Sequence, residues 1–306
     1  MTRSVRIRVP ATTANLGPGF DCLGLALKLY NRVTVRTDGE AGLAIHVSGS
    51  AHTPQIARDG HNLVYRAFRR VFESAGVPLP NLIMDLEVNT PLARGLGSSA
   101  SAIVGGMTAA NALLPAPLPE QQLIREMVRM EGHPDNIMAC YAGGLVASLL
   151  ADDRVIYEKH IPAPNIRCVL VVPGYELATS RARQAIPRRI PLADAVFNMS
   201  RVPHVITRLC SGRLENLAIL MDDRLHQPYR QPLVKGFDVI TSEAERAGAA
   251  AVCLSGAGPT MLAICEQEKA GVLTQRLAEA TNAIGIPAQV LATAPDLAGA
   301  VVEPED

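Results

Sequence analysis

The sequence predicts an α+β protein. Two observations carry this: segments with period-two alternation and segments with helical spacing occur in both halves, and they mix without a regular βαβ succession. A third is size, because 306 residues suffice for two domains of ordinary length. A polar turn at Asp152-Asp153 and the break Ile161-Pro162-Ala163-Pro164 place the expected boundary near residue 160, giving units 1–160 and 161–306.

Val5, Ile7 and Val9 alternate with Arg6 and Arg8, the pattern of a half-buried strand, which Pro10 is expected to end. A polar stretch follows from Ala11 to Asp21, then alternating strands at 32–36 and 43–47. Leu63, Ala67, Val71 and Ala75 share one helical face, and Gly76 and Pro78 stop that helix. Leu82 to Val88 alternates again; a Gly/Ser loop, Gly95 to Ser99, leads into a helix to about Leu114, closed by Pro115, Pro117 and Pro119. Glu120 to Met130 reads as another helix. The second half reads as a strand (Ile166 to Val172), helices to about Leu220, and a helix through Ala247. Two apolar strands then flank a Gly-rich turn at 255–259, followed by helix 267–284 and a strand near 288–292.

Composition narrows the function classes. Hydrophobic residues at 48% supply a sizeable core, and 29 basic side chains balance 29 acidic ones, which argues against a nucleic-acid footprint or a polybasic membrane surface. Trp is absent and aromatics are 4%, too few for base-stacking platforms. Six cysteines without a CxxC pair read as buried free thiols of a reducing compartment. Arg3, Arg6 and Arg8 interrupt any leader-like start, and the Gly/Ala-rich stretch from Ala100 to Leu114 is too short to span a bilayer, so a cytoplasmic protein is expected.

Four segments carry chemistry. In Pro91-Leu92-Ala93-Arg94-Gly95-Leu96-Gly97-Ser98-Ser99-Ala100-Ser101, two glycines permit an unusual backbone path, and two serines open a helix whose first N–H groups lack intrahelical partners. That suits phosphate, although an ordinary capped turn has the same letters. No Lys follows the second glycine, so it is not a Walker loop. In Pro10-Ala11-Thr12-Thr13-Ala14-Asn15-Leu16-Gly17-Pro18-Gly19-Phe20-Asp21, Asn15 can donate and accept while Asp21 can hold an ammonium group; a tight Asx turn is the alternative. Leu254-Ser255-Gly256-Ala257-Gly258-Pro259-Thr260 taken alone is a hairpin turn. Glu131-Gly132-His133-Pro134-Asp135-Asn136 places carboxylates that could support Mg²⁺ beside phosphates, or else forms a solvated loop.

Together, and in this order, these segments resemble the GHMP kinases, with PLARGLGSSAS and LSGAGPT matching the family's second and third motifs. PATTANLGPGFDCLGLAL and EGHPDN are most similar to the homoserine kinase branch. The resemblance spans Val5 to about Ile264. It implies a two-domain GHMP kinase fold, with a half like ribosomal protein S5 domain 2 followed by a ferredoxin-like half, and ATP between them. It implies that residues 91–101 wrap the phosphates, that Ser98, Ser99 and Glu131 support Mg²⁺, and that Asn136, Glu131 and Ser98 serve catalysis. Asn15, Asp21 and Asn136 would hold L-homoserine, joined by Thr179 and Arg183 from a Thr-x-x-x-Arg segment and by Arg230 from His226-Gln227-Pro228-Tyr229-Arg230. A homodimer is expected on the same ground, with no nucleic-acid or membrane partner.

Three departures from the pattern matter. Arg94 is a charge inside the loop, and Ala257 stands where a Ser is frequent. Asn136 stands where mevalonate-type relatives carry an Asp, and an amide is no general base at neutral pH. The expected reaction is therefore in-line attack by the substrate hydroxyl without a dedicated base. Threonine, mevalonate or a sugar are alternative substrates, and a nucleotide-binding regulator without catalysis is the alternative of another class.

Overall fold

The computed structural model describes residues 3–37, 42–51 and 55–304. The first half contains β1 (Ser4–Asn15), β2 (Gly19–Arg36), β3 (Leu43–Ser48), α1 (Leu63–Ala75), β4 (Leu82–Glu87), α2 (Ser98–Leu113), α3 (Glu120–Glu131), α4 (Asp135–Ala142), β5 (Leu145–Ala151) and β6 (Arg154–His160). The second contains β7 (Ile166–Pro173), α5 (Thr179–Gln184), α6 (Leu192–Ser211), α7 (Leu217–Leu220), α8 (Gln227–Arg230), α9 (Phe237–Arg246), β8 (Ala251–Leu254), β9 (Met261–Glu266), α10 (Ala270–Ala283), β10 (Ala288–Thr293) and β11 (Val301–Glu303). Helices and strands mix in both halves, as an α+β fold requires.

One sheet runs β11-β1-β2-β4-β3, with β5 joining β2 and β6 joining β5. Its inner face packs on α1, α2 and α3 around Val9, Val33, Phe68, Ile103, Met107 and Ile124. The other sheet runs β10-β7-β9-β8, antiparallel throughout. Its strands and their helical connections follow the βαββαβ succession of a ferredoxin-like unit. A further core lies between the sheets, where Leu16, Leu23 and Leu25 meet Cys168, Leu170, Leu209, Leu217 and Leu262. The two halves therefore share buried apolar surface, and the cleft between them has a fixed floor.

Several expectations are corrected. Pro10 does not end the first strand: a register irregularity between Pro10 and Ala11 absorbs it, and β1 continues to Asn15. Asp152-Asp153 is the turn of the β5–β6 hairpin. β11, which a boundary near residue 160 would place in the second unit, returns to pair with β1 of the first. Among the described residues, no helix is long and apolar enough to cross a membrane.

Candidate active site

The loop into α2 crosses the cleft, and its path needs both glycines. Gly95 and Gly97 sit at φ +79° and +64°, and a Cβ on them would lie 2.2 Å from the Ser255 carbonyl oxygen and 1.8 Å from Thr12 Oγ1. Five consecutive carbonyls are turned into the protein: Ala93 accepts from Leu177 N, Arg94 from Thr260 N, Gly95 from the Ser255 hydroxyl, Leu96 from Thr12 N and Gly97 from Ser101 N. The N–H groups of residues 93–100 find no acceptor among the described residues, and no side chain caps α2. A row of unpaired donors at the positive end of a sixteen-residue helix is an anion cradle.

The sequence placed eleven residues, 91–101, around the phosphates, and the structure divides them. Ala93, Gly95, Gly97, Ser98 and Ser99 line a cavity of about 110 Å³ in the cleft. Leu92, Ser98, Ser99 and Ser101 line an adjoining, largely apolar cavity of about 340 Å³, completed by Ile56, Asn62, Val64, Leu86 and Val88. Pro91, Arg94, Leu96 and Ala100 line neither cavity. Leu96 and Ala100 are buried in the core, and Pro91 faces an outer groove. Arg94 is spent on structure: its guanidinium donates to the carbonyls of Leu92, Pro173 and Gly174 and pairs with Glu176 at 3.3 Å, pinning the loop to the second half.

The nine side chains singled out as catalytic, metal or substrate groups all meet in the smaller cavity: Asn15, Asp21, Ser98, Ser99, Glu131, Asn136, Thr179, Arg183 and Arg230. They come from seven elements or turns, so only the tertiary fold unites them. Asn15, Leu16 and Asp21 hold left-handed backbones at φ +73°, +47° and +56°. With Ala93, they are four of the six such non-glycine residues among those described, which concentrates backbone strain at the cleft. Asn15 Nδ2 donates to the Gly256 carbonyl at 2.9 Å and its Oδ1 accepts from Asp21 N at 3.1 Å, so the third motif fastens the first.

Asp21 and Arg183 form a two-pronged ion pair at 2.9 and 2.8 Å. Arg230 is buried, donating to the carbonyls of Gly256 at 3.0 Å and Ala182 at 3.3 Å. Burial, and secondly the charge of Arg183, lower its pKa to about 10, so it remains cationic at neutral pH. Asn136 is held at both ends of its amide: its Oδ1 accepts from Thr12 Oγ1 at 2.7 Å and its Nδ2 donates to Asp135 Oδ1 at 3.3 Å, which also accepts from its main-chain N at 2.7 Å.

Glu131 Oε2 accepts from the Ser99 hydroxyl at 2.7 Å, leaving its second oxygen for a hard cation beside the amide cradle. A second cluster, Asp21, His133 and Asp135, brings its ligand atoms within 4.8 Å of one another. It suits Mg²⁺ less well, because both Asp21 oxygens bond Arg183 and Asp135 Oδ1 bonds His133 Nδ1 at 2.5 Å. Burial works against charge on His133, but the bond to Asp135 and the negative charges of Asp135, Glu131 and Asp21 outweigh it and raise the imidazole above its ordinary value. Sequence reasoning offered the carboxylates of Glu131–Asn136, Asp135 among them, as Mg²⁺ support, but gave no role to His133 or Thr12, although both stand in the quoted motifs.

Comparison with known proteins agrees with this geometry. Models of the GHMP kinases N terminal domain and the GHMP kinases C terminal region match residues 62–144 and 205–283. A homoserine kinase of Carboxydothermus hydrogenoformans is 43% identical over 97% of this chain and 96% of its own length. That of a Synechococcus species is 43% identical over 95% of each. Among solved structures, homoserine kinase from Cytophaga hutchinsonii superposes with a TM-score of 0.88 at 28% identity, covering 98% of this chain and 97% of that one. A putative homoserine kinase from Listeria monocytogenes gives 0.78 at 31% identity, covering 98% and 100%. A mevalonate kinase, 14% identical with a TM-score of 0.69, shares the fold. Two matched domain models, with relatives 43% identical along nearly their whole length, leave one assignment: the chain belongs to the GHMP kinases, within the homoserine kinase family.

Proposed function

We infer that this kinase transfers the γ-phosphoryl group of ATP to the side-chain hydroxyl of L-homoserine, giving O-phospho-L-homoserine. One observation carries this: a single cavity joins a carboxylate (Asp21), two guanidinium groups (Arg183 and Arg230) and the loop residues Ala93, Gly95, Gly97, Ser98 and Ser99, whose amides are unpaired among the described residues. A zwitterionic alcohol entering between Asp21 and Arg183 exchanges one ion pair for two, its ammonium on Asp21 and its carboxylate on the arginines. The triphosphate lies along Ala93, Gly95, Gly97, Ser98 and Ser99, and the nucleoside occupies the adjoining apolar cavity that shares Ser98 and Ser99.

Ser99 and Glu131, with Ser98 beside them, would hold Mg²⁺, which supplies charge neutralisation of the phosphates. The chain's own residues position. The substrate oxygen forms a bond to γ-phosphorus as the bridging bond to ADP breaks, and the hydroxyl proton leaves to solvent or to the transferred phosphate. Asn136, with its oxygen engaged by Thr12, donates a hydrogen bond and abstracts nothing. A loose transition state asks little of the nucleophile, so alignment and electrostatics carry the rate.

The test is ADP release with Mg²⁺, ATP and, separately, homoserine, threonine and mevalonate. Homoserine should be turned over and mevalonate, which lacks an ammonium group, should not. Turnover of mevalonate without homoserine, or no nucleotide turnover with any of the three, overturns the assignment.

A further inference from the structure

We propose that His226 is a positioning residue: its imidazole holds the Arg230 guanidinium in the substrate cavity and ties it to the turn that presents Asp21. The proposal rests on the functional assignment above, and it concerns a side chain that does not itself line the cavity.

His226 is fully buried. Its Nε2 lies 2.8 Å from the Gly17 carbonyl oxygen, and its Nδ1 lies 3.3 Å from Arg230 Nη1. A carbonyl only accepts and a guanidinium only donates, so both contacts demand one tautomer: Nε2 carries the proton and Nδ1 offers its lone pair. The other tautomer would aim an N–H at a cation and a lone pair at a carbonyl, and the imidazolium would aim an N–H at the cation. Burial, first, and the Arg230 charge lower the pKa of His226, against the opposing pull of Asp223 and Asp21, so the ring stays neutral.

The ring itself is fixed from several sides. Phe20 stacks on it at 5.2 Å between centroids, and Arg230 lies 5.2 Å from the Phe20 centroid. Asp223 accepts from the main-chain N–H of Leu225, His226 and Gln227 and from Asn198 Nδ2, which also approaches the Pro18 carbonyl at 3.1 Å. Successive carbonyls of the first-motif turn, Gly17 and Pro18, are thus held by the same buried network that orients Arg230. Arg230 keeps two carbonyl partners without His226, so losing the imidazole acceptor lets the guanidinium tilt rather than leave.

The experiment compares His226→Asn, His226→Gln and His226→Phe in the full chain. The Asn side chain puts an oxygen near the place of Nδ1 and can still accept from Arg230. The Gln amide nitrogen reaches the place of Nε2 and can hold Gly17, but offers Arg230 nothing. Phe keeps the ring stack alone. We expect His226→Asn to leave KM for homoserine near the wild-type value. His226→Gln and His226→Phe should raise it about ten-fold, the order of one hydrogen bond to a charged group, with KM for ATP unchanged. The ¹⁵N spectrum of the wild-type imidazole should show Nε2 protonated and Nδ1 bare through neutral pH. An unchanged homoserine KM in His226→Gln and His226→Phe overturns the proposal. So do parallel rises in both KM values with lowered Tm in all three variants, or a protonated Nδ1. Failure of the functional assignment would show differently, as absent homoserine turnover in the wild type, and the imidazole spectrum then decides the proposal alone.

Discussion

At the scale of single residues, Asn136 separates positioning from proton abstraction. Its carbonyl oxygen is taken by Thr12 and its NH₂ donates once to Asp135 Oδ1, so one N–H remains for a ligand. Asn136→Asp should lower kcat and add no acidic limb to the pH–rate profile; a strong rise in kcat with such a limb would show that the reaction wants a base. Glu131→Ala should raise the Mg²⁺ concentration for half-maximal activity by about ten-fold or more, measured by metal titration at saturating ATP. Asp21→Asn separates stability from binding. The ion pair it breaks has side chains 33% and 38% exposed, so solvent screening leaves only about 0–1 kcal/mol of stability at stake. KM for homoserine should nevertheless rise steeply, because the ammonium loses its partner. His133 titrates in the folded chain above its ordinary 6.5. Its contribution to stability is therefore complete below about pH 6.5 and is lost as pH rises through the raised value. Urea midpoints across that window should fall with rising pH, and His133→Gln should remove that part of the slope.

At the scale of elements, the loop into α2 was legible because its chemistry is local: two glycines, two serines and a helix start are contiguous in sequence. What was not legible is which of residues 91–101 face the cleft cavities, since that depends on partners far along the chain such as Leu177, Ser255 and Thr260. Gly97→Ala tests this path. A Cβ there meets Thr12 Oγ1 at φ +64°, so the substitution should cost at least ~2 kcal/mol in a denaturant melt and weaken ATP more than ten-fold. The missed elements share a physical cause. β2 alternates in burial only from Asn31 onward, while residues 23–27 are buried on both faces and show no period of two. α4 is eight residues long, has no side-chain cap, and buries most of its length, so it lacks a polar face to reveal a helical period. Arg94 was counted among the phosphate-wrapping residues because its carbonyl partners, Pro173 and Gly174, belong to the other half of the chain.

At the scale of the molecule, the proposed substrate groups Asn15, Asp21, Asn136, Thr179, Arg183 and Arg230 were named from short motifs, yet their meeting in one cavity rests on the shared core between the sheets. The return of β11 to β1 adds a second tie that no boundary near residue 160 anticipates. Coupled halves should unfold together: urea transitions followed by near-UV and far-UV signals should coincide, and two separated transitions would mean that the cleft's floor does not join them. The most direct measurement is a crystal structure with L-homoserine and a non-hydrolysable ATP analogue. The triphosphate should lie on the amides of residues 93–99, with the amino acid between Asp21 and the two arginines and its hydroxyl directed at the γ-phosphate. Ligands bound elsewhere, with the Asp21–Arg183 pair intact and the cradle vacant, would contradict the account.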